Sequence, residues 1–510
     1  MSLSFPTMAA LRFGYGFRPG EAHPATKSEL LDPIRVADGT CLFPLGRIEA
    51  RRQAISSVLG RLRDINTSDI DDNAQREERR AVFTELQQSY QRDADARIAQ
   101  AVFSPNGFYE RLATFWTDHF SVSAIKNQPM KLIVPLFEAE AIRPNIGATF
   151  PTLLRSATQH PAMLIYLDQA QSLGPDSPIG IRRNKGLNEN LARELMELHT
   201  LGAGSGYTQD DVRSAAMVLT GITVDRQGVE TAFRRAVAEP GSHQVLGVSY
   251  GGSPRKERDY LQMLDDLALN PKTAQHISRK LAVHFISDTP PQEMIDAMVE
   301  SWRKTDGDLM AVYSAMLDHP AAWTNEGSKA RQPFDFVVAG LRAFNLAKNP
   351  AAGNVGDPLS DDEAAGQAMA DGGPKGAGNG PAVVPGSSNA PPDPREQQRR
   401  QAAIDATFYV PRGLGLYALR RMGQPIWQPP SPAGFPEGFD AWINASELSE
   451  RISWARRAIG RYGKQEDPRQ FLKDTLADAA RDDTIRVVSQ APNKMMGLTL
   501  VLASPEFNRR

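Results

Sequence analysis

GLNENLARELMELHTLGAGSGYTQDDVRSAAMVLTG, residues 186–221, carries two helical patterns joined by a glycine turn. At about 100° per residue, Leu191, Leu195 and Leu198 form one apolar stripe, and His199 falls at its edge beside Ala192 and Leu195. The opposite side is charged. Glu189, Arg193 and Glu197 follow one another at every fourth residue, and Asn190 and Glu194 make a second polar row that also ends at Glu197. Gly202, Gly204 and Gly206 offer positive φ just past the end of this helix. Thr208 then begins the next one, with Asp211 at the third following position as in a capping box. Val212, Ala215, Ala216 and Leu219 supply its stripe before Gly221 stops it. The unit reads as a tight helical hairpin with a dry face and an acidic face.

Working outward, the same helical period recurs along the chain. From about Asp71 to Val102 a charged run without glycine or proline spaces Val82, Leu86, Tyr90, Ala94, Ile98 and Val102 as one face of a long amphipathic helix. Its dense charges read as a solvated face. Pro105 opens another helix containing FYERLATFWTDHFSVS, where Phe115 and His119, and Trp116 and Phe120, are four apart, with Asp118 beside the histidine. Pro144 and Pro151 punctuate two apolar helices. His160 precedes Pro161 at a helix N-terminus, and Asp168 follows at the other end of that short element. Residues 221–252 carry β-branched residues and turn signals, the pattern of a small hairpin or a loop over the central helix. Helices resume from about 253, broken at Asn270-Pro271, Pro290-Pro291 and Gly307, with His276, Lys280 and His284 spaced as scaffold.

From Asn349 to Pro394 composition changes to Gly, Ala, Pro, Asp, Asn and Ser with almost no large apolar residue. Such a segment buries too little area to offset its ordering entropy and is expected to be a disordered insertion. The predicted organisation is a helical core over 1–348, this insertion over 349–394, and a C-terminal helical part over 395–510 that packs on the core. In the last part, Gly423 to Pro436 reads as an extended aromatic and proline strip. The fold class is mainly α, a single large multi-helical body carrying one small β or irregular insertion and one disordered insertion.

Bulk properties narrow the function. With 58 Lys and Arg against 60 Asp and Glu in 510 residues, the formal charge is -2, which argues against electrostatic attraction to nucleic acid or to an anionic membrane. The single cysteine, Cys41, excludes a disulfide framework within the chain and any cysteine-rich metal site. The N-terminus lacks a basic then apolar signal, and no apolar run of about 18 residues follows; the expected location is the cytoplasm, with export bound to a partner as the other route.

Several motifs, in order, resemble the bacterial family called domain of unknown function 1800. They are RFGYGFRPGE, FWTDHFSVS, HPAMLIYLD, NENLARELMELHTLG with GYTQDDVRSAAMVLTG, TDGDLMAVYSAML, MGQPIWQPPSPAGFP and the terminal LASPEFNRR. The resemblance spans nearly the full chain and implies a largely α-helical fold. It also implies frequent genomic pairing with a second family, related to sulfatases and exported by the twin-arginine route.

The acidic face of the central helix suggests chemistry. Glu189, Glu194 and Glu197 provide carboxylates of which one can be held protonated as general acid and another ionised as base or nucleophile, the division that glycoside hydrolysis needs. Glu194 leads, because it lies between the leucine stripe and the charged row, where partial burial raises its pKa. Residues on one helix cannot alone flank a sugar ring, so Asp118 or Asp168 is the expected contribution from a neighbouring helix. His119, His160, His199, Asn190 and Arg193 are the further polar candidates for holding substrate, and Trp116, Tyr166, Tyr207 and Trp427 the rings that would stack on a sugar. The bland alternative is an ion network of Glu189, Arg193 and Glu197 that only fixes helix packing. His119, His160 and His199 with Glu194 or Asp168 make a weaker metal set, since no HExxH pair supports it; no cofactor is called for. The expected function is a hydrolase on a polysaccharide or oligosaccharide. The competing class is a non-catalytic companion of the exported sulfatase-like protein.

Overall fold

The structure, a computed structural model, describes residues 3–37, 41–67, 71–184, 186–225, 229–324, 327–346 and 410–510. The segment 349–394 lies outside the described residues. Helices dominate, and strand is confined, among the described residues, to two small antiparallel pairs. One buried apolar cluster takes in Phe13, Trp116, Leu195, Phe285, Val337, Trp454 and Phe507 alike.

Helix α1, Asp72–Phe103, starts where the Asp71 carboxylate accepts the Asn73 and Ala74 N–H groups at 2.9 and 3.1 Å, satisfying two of its orphan donors. All six stripe residues expected from the sequence are buried. Not every charge is solvated, however. Asp93 is sealed against Arg51 Nη2 at 2.8 Å, and Arg97 donates from Nε to Glu138 at 2.6 Å. Both sit where the helix runs beneath other elements, so each needs a partner of opposite charge.

Helix α2, Gly107–His119, carries the aromatic ladder, with Phe115 stacked on His119 and Trp116 on Phe120. Helix α3, Asn190–Glu194, continues without interruption into a π-turn, Leu195–His199. A π-turn admits an extra residue per turn and so slips the register of the buried face. That slip corrects the expected stripe: Leu191 and Leu195 are fully buried, Leu198 is only half-buried, and Met196 and His199 rotate inward. Gly202, Gly204 and Gly206 all take positive φ, and α4, Gln209–Leu219, opens on the Thr208–Asp211 capping box with its four expected stripe residues buried.

The 221–252 segment forms two hairpins rather than one. Strands β1, Ile222–Val224, and β2, Thr231–Phe233, pair with Thr223 opposite Ala232; β3, Gly241–Val245, and β4, Val248–Gly252, pair with His243 opposite Tyr250. The second hairpin lies on α4, its turn fixed by the Leu246 N–H donating to Asp211 at 2.7 Å.

Helices α5, Pro271–Phe285, and α6, Pro333–Ala343, pack in the centre, and α7, Ala445–Tyr462, closes over α6. Trp454 of α7 is fully buried against Gly340 of α6, where a Cβ would run into the indole. Among the described residues, no helix is long and apolar enough to cross a membrane.

Candidate functional site

Helix α3 begins where Asn188 Oδ1 accepts the Asn190 N–H at 2.9 Å. Glu189 faces α4. It accepts from Gln209 Nε2 at 2.7 Å and from Arg193 Nη2 at 3.3 Å, with Arg213 at 3.7 Å. Glu189 and Arg193 therefore clamp the two helices together. Glu194 and Glu197 are different: both are half-buried, and neither has an ion-pair partner among the described residues. Burial, then the neighbouring Glu197, pushes the Glu194 carboxyl upward. Two half-buried phenols share this patch. Tyr166 is raised by burial and by Glu194, and Tyr207 by burial and by Glu197. The result is an acidic and aromatic ridge along the outer side of the π-turn.

The inner side of that turn explains three histidines. A helix end leaves its last carbonyls without intrahelical partners. Here His276 Nε2 lies 3.1 Å from the Leu198 carbonyl, His119 Nε2 lies 3.3 Å from the His199 carbonyl, and the Thr200 hydroxyl donates to Leu195 O at 2.7 Å. An imidazole bonded to a carbonyl must donate, so both Nε2 atoms carry hydrogen. His199 itself is buried between Phe120 and His119. Burial followed by Lys280 holds His199 down at about 3 and His276 at about 4, and His119 well below the usual range. These imidazoles are neutral parts of the scaffold.

Asp118, at the end of α2, meets a segment 317 positions further along the chain. The Phe435 backbone N–H donates to both carboxylate oxygens, at 3.0 and 3.1 Å. Gly434 is pressed so close that a Cβ would stand 2.5 Å from Oδ2. Burial pushes the Asp118 carboxyl up to about 7, with Glu437 adding to the rise. Burial also works against the charge on Glu437, but His284, Lys329 and Lys280 outweigh it and hold that carboxyl down at about 2. His284 Nδ1 lies 2.5 Å from Glu437 Oε1. Two neighbouring carboxyls thus ionise far apart in pH. A cavity of about 50 Å³ lies against Asp118 and is lined also by Arg97, Gln332, Phe334 and Trp427.

A family model for a protein of unknown function, DUF1800, matches residues 9–509. The chain belongs to the DUF1800 family. No curated protein and no solved structure matches it.

The remaining candidates of this DUF1800 protein are dispersed. Trp116 is fully buried and donates from Nε1 to the Tyr313 hydroxyl at 2.7 Å. Trp427 is 5% exposed, with Nε1 donating to Glu138 at 2.7 Å and its ring against Phe43 and Tyr90. Trp116 fills the core, whereas Trp427, nearly as buried, lines the cavity beside Asp118. Trp427 also adopts φ of 52°, a region costly for a large L-residue and most often retained near functional sites. In the strip from Gly423 to Pro436, Gln424, Ile426, Trp427 and Pro429 are buried, while Gly423, Pro430, Ser431, Ala433 and Pro436 are exposed.

His160 and Asp168 do stand at opposite ends of one helix, Pro161–Tyr166. Asp168 is paired with Lys126 Nζ at 2.8 Å. His160 accepts the Ala162 N–H at Nδ1, 3.1 Å, so its proton sits on Nε2, which faces Glu140 at 3.3 Å. Glu140 also accepts twice from Arg52 Nη2, at 2.9 and 3.0 Å. Both residues line an open groove of about 730 Å³ with Arg52, Gln159, Glu230 and Thr231. Neither this groove nor the cavity at Asp118 includes Glu189, Glu194 or Glu197. Among the described residues, no three of His, Cys, Asp and Glu converge as metal ligands, and the set of His119, His160 and His199 is not assembled, since His160 belongs to the groove.

Sequence reasoning missed Glu140, Lys280, Glu437 and the site role of Arg97. No spacing signal marks them, because each acquires its setting from a contact distant in the chain. For Lys280 the position within TAQHISRKLAVHF is visible, but its neighbours Asp118 and Glu437 are not.

Proposed function

We propose that this protein is a hydrolase that works by paired carboxylates on an oligosaccharide or polysaccharide, with Glu194 as the general acid and Asp168, from a neighbouring element, as its partner. The reading rests on one observation: Glu194 is half-buried, raised in pKa by burial and by Glu197, and without an ion-pair partner among the described residues. Glu189, by contrast, is engaged by Arg193, Arg213 and Gln209. Asp118 is buried and held by Phe435, whereas Asp168 lies two residues past Tyr166, whose phenol neighbours Glu194, and is half-buried beside Lys126.

In this scheme Glu194, protonated, delivers its proton to the departing glycosidic oxygen as the bond to the anomeric carbon breaks. A water oxygen bonds to that carbon, and its proton passes to the Asp168 carboxylate. Tyr166 and Tyr207 supply ring faces and hydroxyls beside the carboxylates. An open ridge suits a long polymer better than a closed pocket does.

The test is release of reducing ends from a panel of oligosaccharides and polysaccharides by the full chain. Glu194→Gln should abolish release while leaving the melting temperature nearly unchanged, since a half-exposed carboxyl without a partner contributes little to folding. An inert wild-type protein, or a fully active Glu194→Gln variant, defeats the reading.

A binding role has one observation in its favour. Ile485, Val487, Met495 and Met496 are exposed on adjacent C-terminal helices, and exposed apolar residues in a patch mark contact surfaces. The companion would be the sulfatase-like protein that the family resemblance implies. Stable co-purification with that protein, together with inertness of the isolated chain on glycans, would replace the hydrolase with this role.

A further inference from the structure

The cavity beside Asp118 goes beyond the ridge and does not depend on it. Its lining includes two polar side chains with donors left over. Arg97 donates from Nε to Glu138, but its two Nη groups make no hydrogen bond to a described residue. Gln332 receives the Gln424 Nε2 proton on Oε1 at 2.8 Å, yet its own Nε2 has no described acceptor. Both side chains are more than nine-tenths buried and both line the cavity. Donors left over at a cavity wall are free to meet an acceptor placed there. Apolar side chains make up much of the rest of the lining, Val122, Phe334, Ile426 and Trp427, with the Arg97 guanidinium over the Phe334 ring. The backbone is held in a disfavoured conformation at Trp427, whose carbonyl accepts from Ala124 N–H at 2.8 Å, so the wall is fixed in place.

A guanidinium and an amide set beside aromatic and aliphatic groups match a carboxylate that carries a short alkyl tail. The volume, about 50 Å³, is several times the space one water needs, about 10–15 Å³ on the same measure. It suits a handful of heavy atoms. We propose that this cavity is a binding site for a short-chain monocarboxylate, its carboxylate received by Arg97 and Gln332 and its tail lying against Phe334 and Trp427.

The site carries its own proton coupling. Asp118 forms part of the wall, and an ionised Asp118 would repel the ligand. The charged and titratable groups around it are Lys280 and His284 on α5, Arg97 on α1, Glu437 on the 423–438 segment and His119 on its own helix. Burial already favours the protonated Asp118 near neutral pH. Binding of the anion favours it further, so the ligand should enter with one proton.

The experiment is calorimetric titration of the full chain with sodium acetate and sodium propionate, at several pH values from 6 to 9, using chloride and nitrate as controls. The expected result is saturable binding of the carboxylates, weakening about tenfold per pH unit above the Asp118 pKa. Asp118→Asn keeps an acceptor for Phe435 N–H and should bind with little dependence on pH. Gln332→Leu, checked for an intact fold by its melting curve, should weaken binding about tenfold or more. No saturable binding at tens of millimolar overturns the proposal, as does equal affinity for chloride or nitrate. A wild-type affinity that does not change with pH overturns the coupling to Asp118, and unchanged binding by Gln332→Leu overturns the placement of the carboxylate.

Discussion

Arg111 Nη1 stands 2.6 Å from Asp335 Oδ2, in a place from which solvent is excluded for both residues. The same oxygen also receives Arg510 Nη1 at 2.5 Å. One carboxylate on α6 thus holds a guanidinium from α2 and another from the C-terminal segment. Removing it leaves two buried cations, and breaking a buried pair from one side costs far more than an exposed pair contributes. Asp335→Asn should lower stability by about 3–5 kcal/mol, read from the shift of the urea midpoint. A loss below about 1 kcal/mol would mean that His284, by its ring Nε2 to Arg111 and its carbonyl to Arg510, can hold both arginines.

Gly340 makes a complementary expectation for the same interface. A side chain there would drive its Cβ into the Trp454 indole. Gly340→Ala would ordinarily help a helix by up to about 1 kcal/mol, so any large loss isolates the packing conflict. We expect a net loss of about 1–3 kcal/mol by denaturant titration, recovered in part when Trp454 is also changed to Phe. A stabilised Gly340→Ala would show that α7 is free to move away from α6.

Asp118 gives a pH dependence with a definite sign. Its carboxyl is raised to about 7 in the folded protein, from an ordinary value of 3.8, so the folded state keeps its proton over a window where the unfolded chain has lost it. Stability from this group is complete below about 4 and declines as pH rises to about 7. Asp118→Asn cannot lose that proton. Its melting temperature relative to wild type should therefore climb from pH 4 to 7 and level off above, and a constant difference across that range would show that Asp118 titrates normally.

His276 should act in the opposite direction. Burial and Lys280 hold it at about 4, below the ordinary value of 6.5. The unfolded chain binds this proton first, so stability is present above about 6.5 and falls as the pH drops towards 4. In His276→Gln the amide would still offer an Nε2 donor to the Leu198 carbonyl without titrating. The slope of unfolding free energy against pH between 6.5 and 4 should be shallower in that variant than in wild type, by at most one proton. Equal slopes would place the acid sensitivity elsewhere.

The helical hairpin at 186–221 shows how far the chain can be read directly. The capping box at Thr208, the positive φ of three glycines and the stripe of α4 are all set by residues three or four apart, and all appear as expected. The π-turn at Leu195–His199 does not follow from that period. Its stray carbonyls are tolerated because His119 and His276 reach them from α2 and α5, and nothing in LMELH announces those donors. Trp116 and Trp427 are legible as large rings, but only the packed core decides how far each is buried.

The sequence by itself determined the mainly helical class, the long helix over 72–103, the caps and the acidic row on α3, because these rest on neighbours along the chain. Tertiary structure decided which charges have partners. It joined Glu189 to Arg213 and left Glu194 open, and it set Phe435 on Asp118 across 317 positions. A carboxyl's ionisation depends on burial and on charges within a few ångströms, and those distances exist only once the helices have packed.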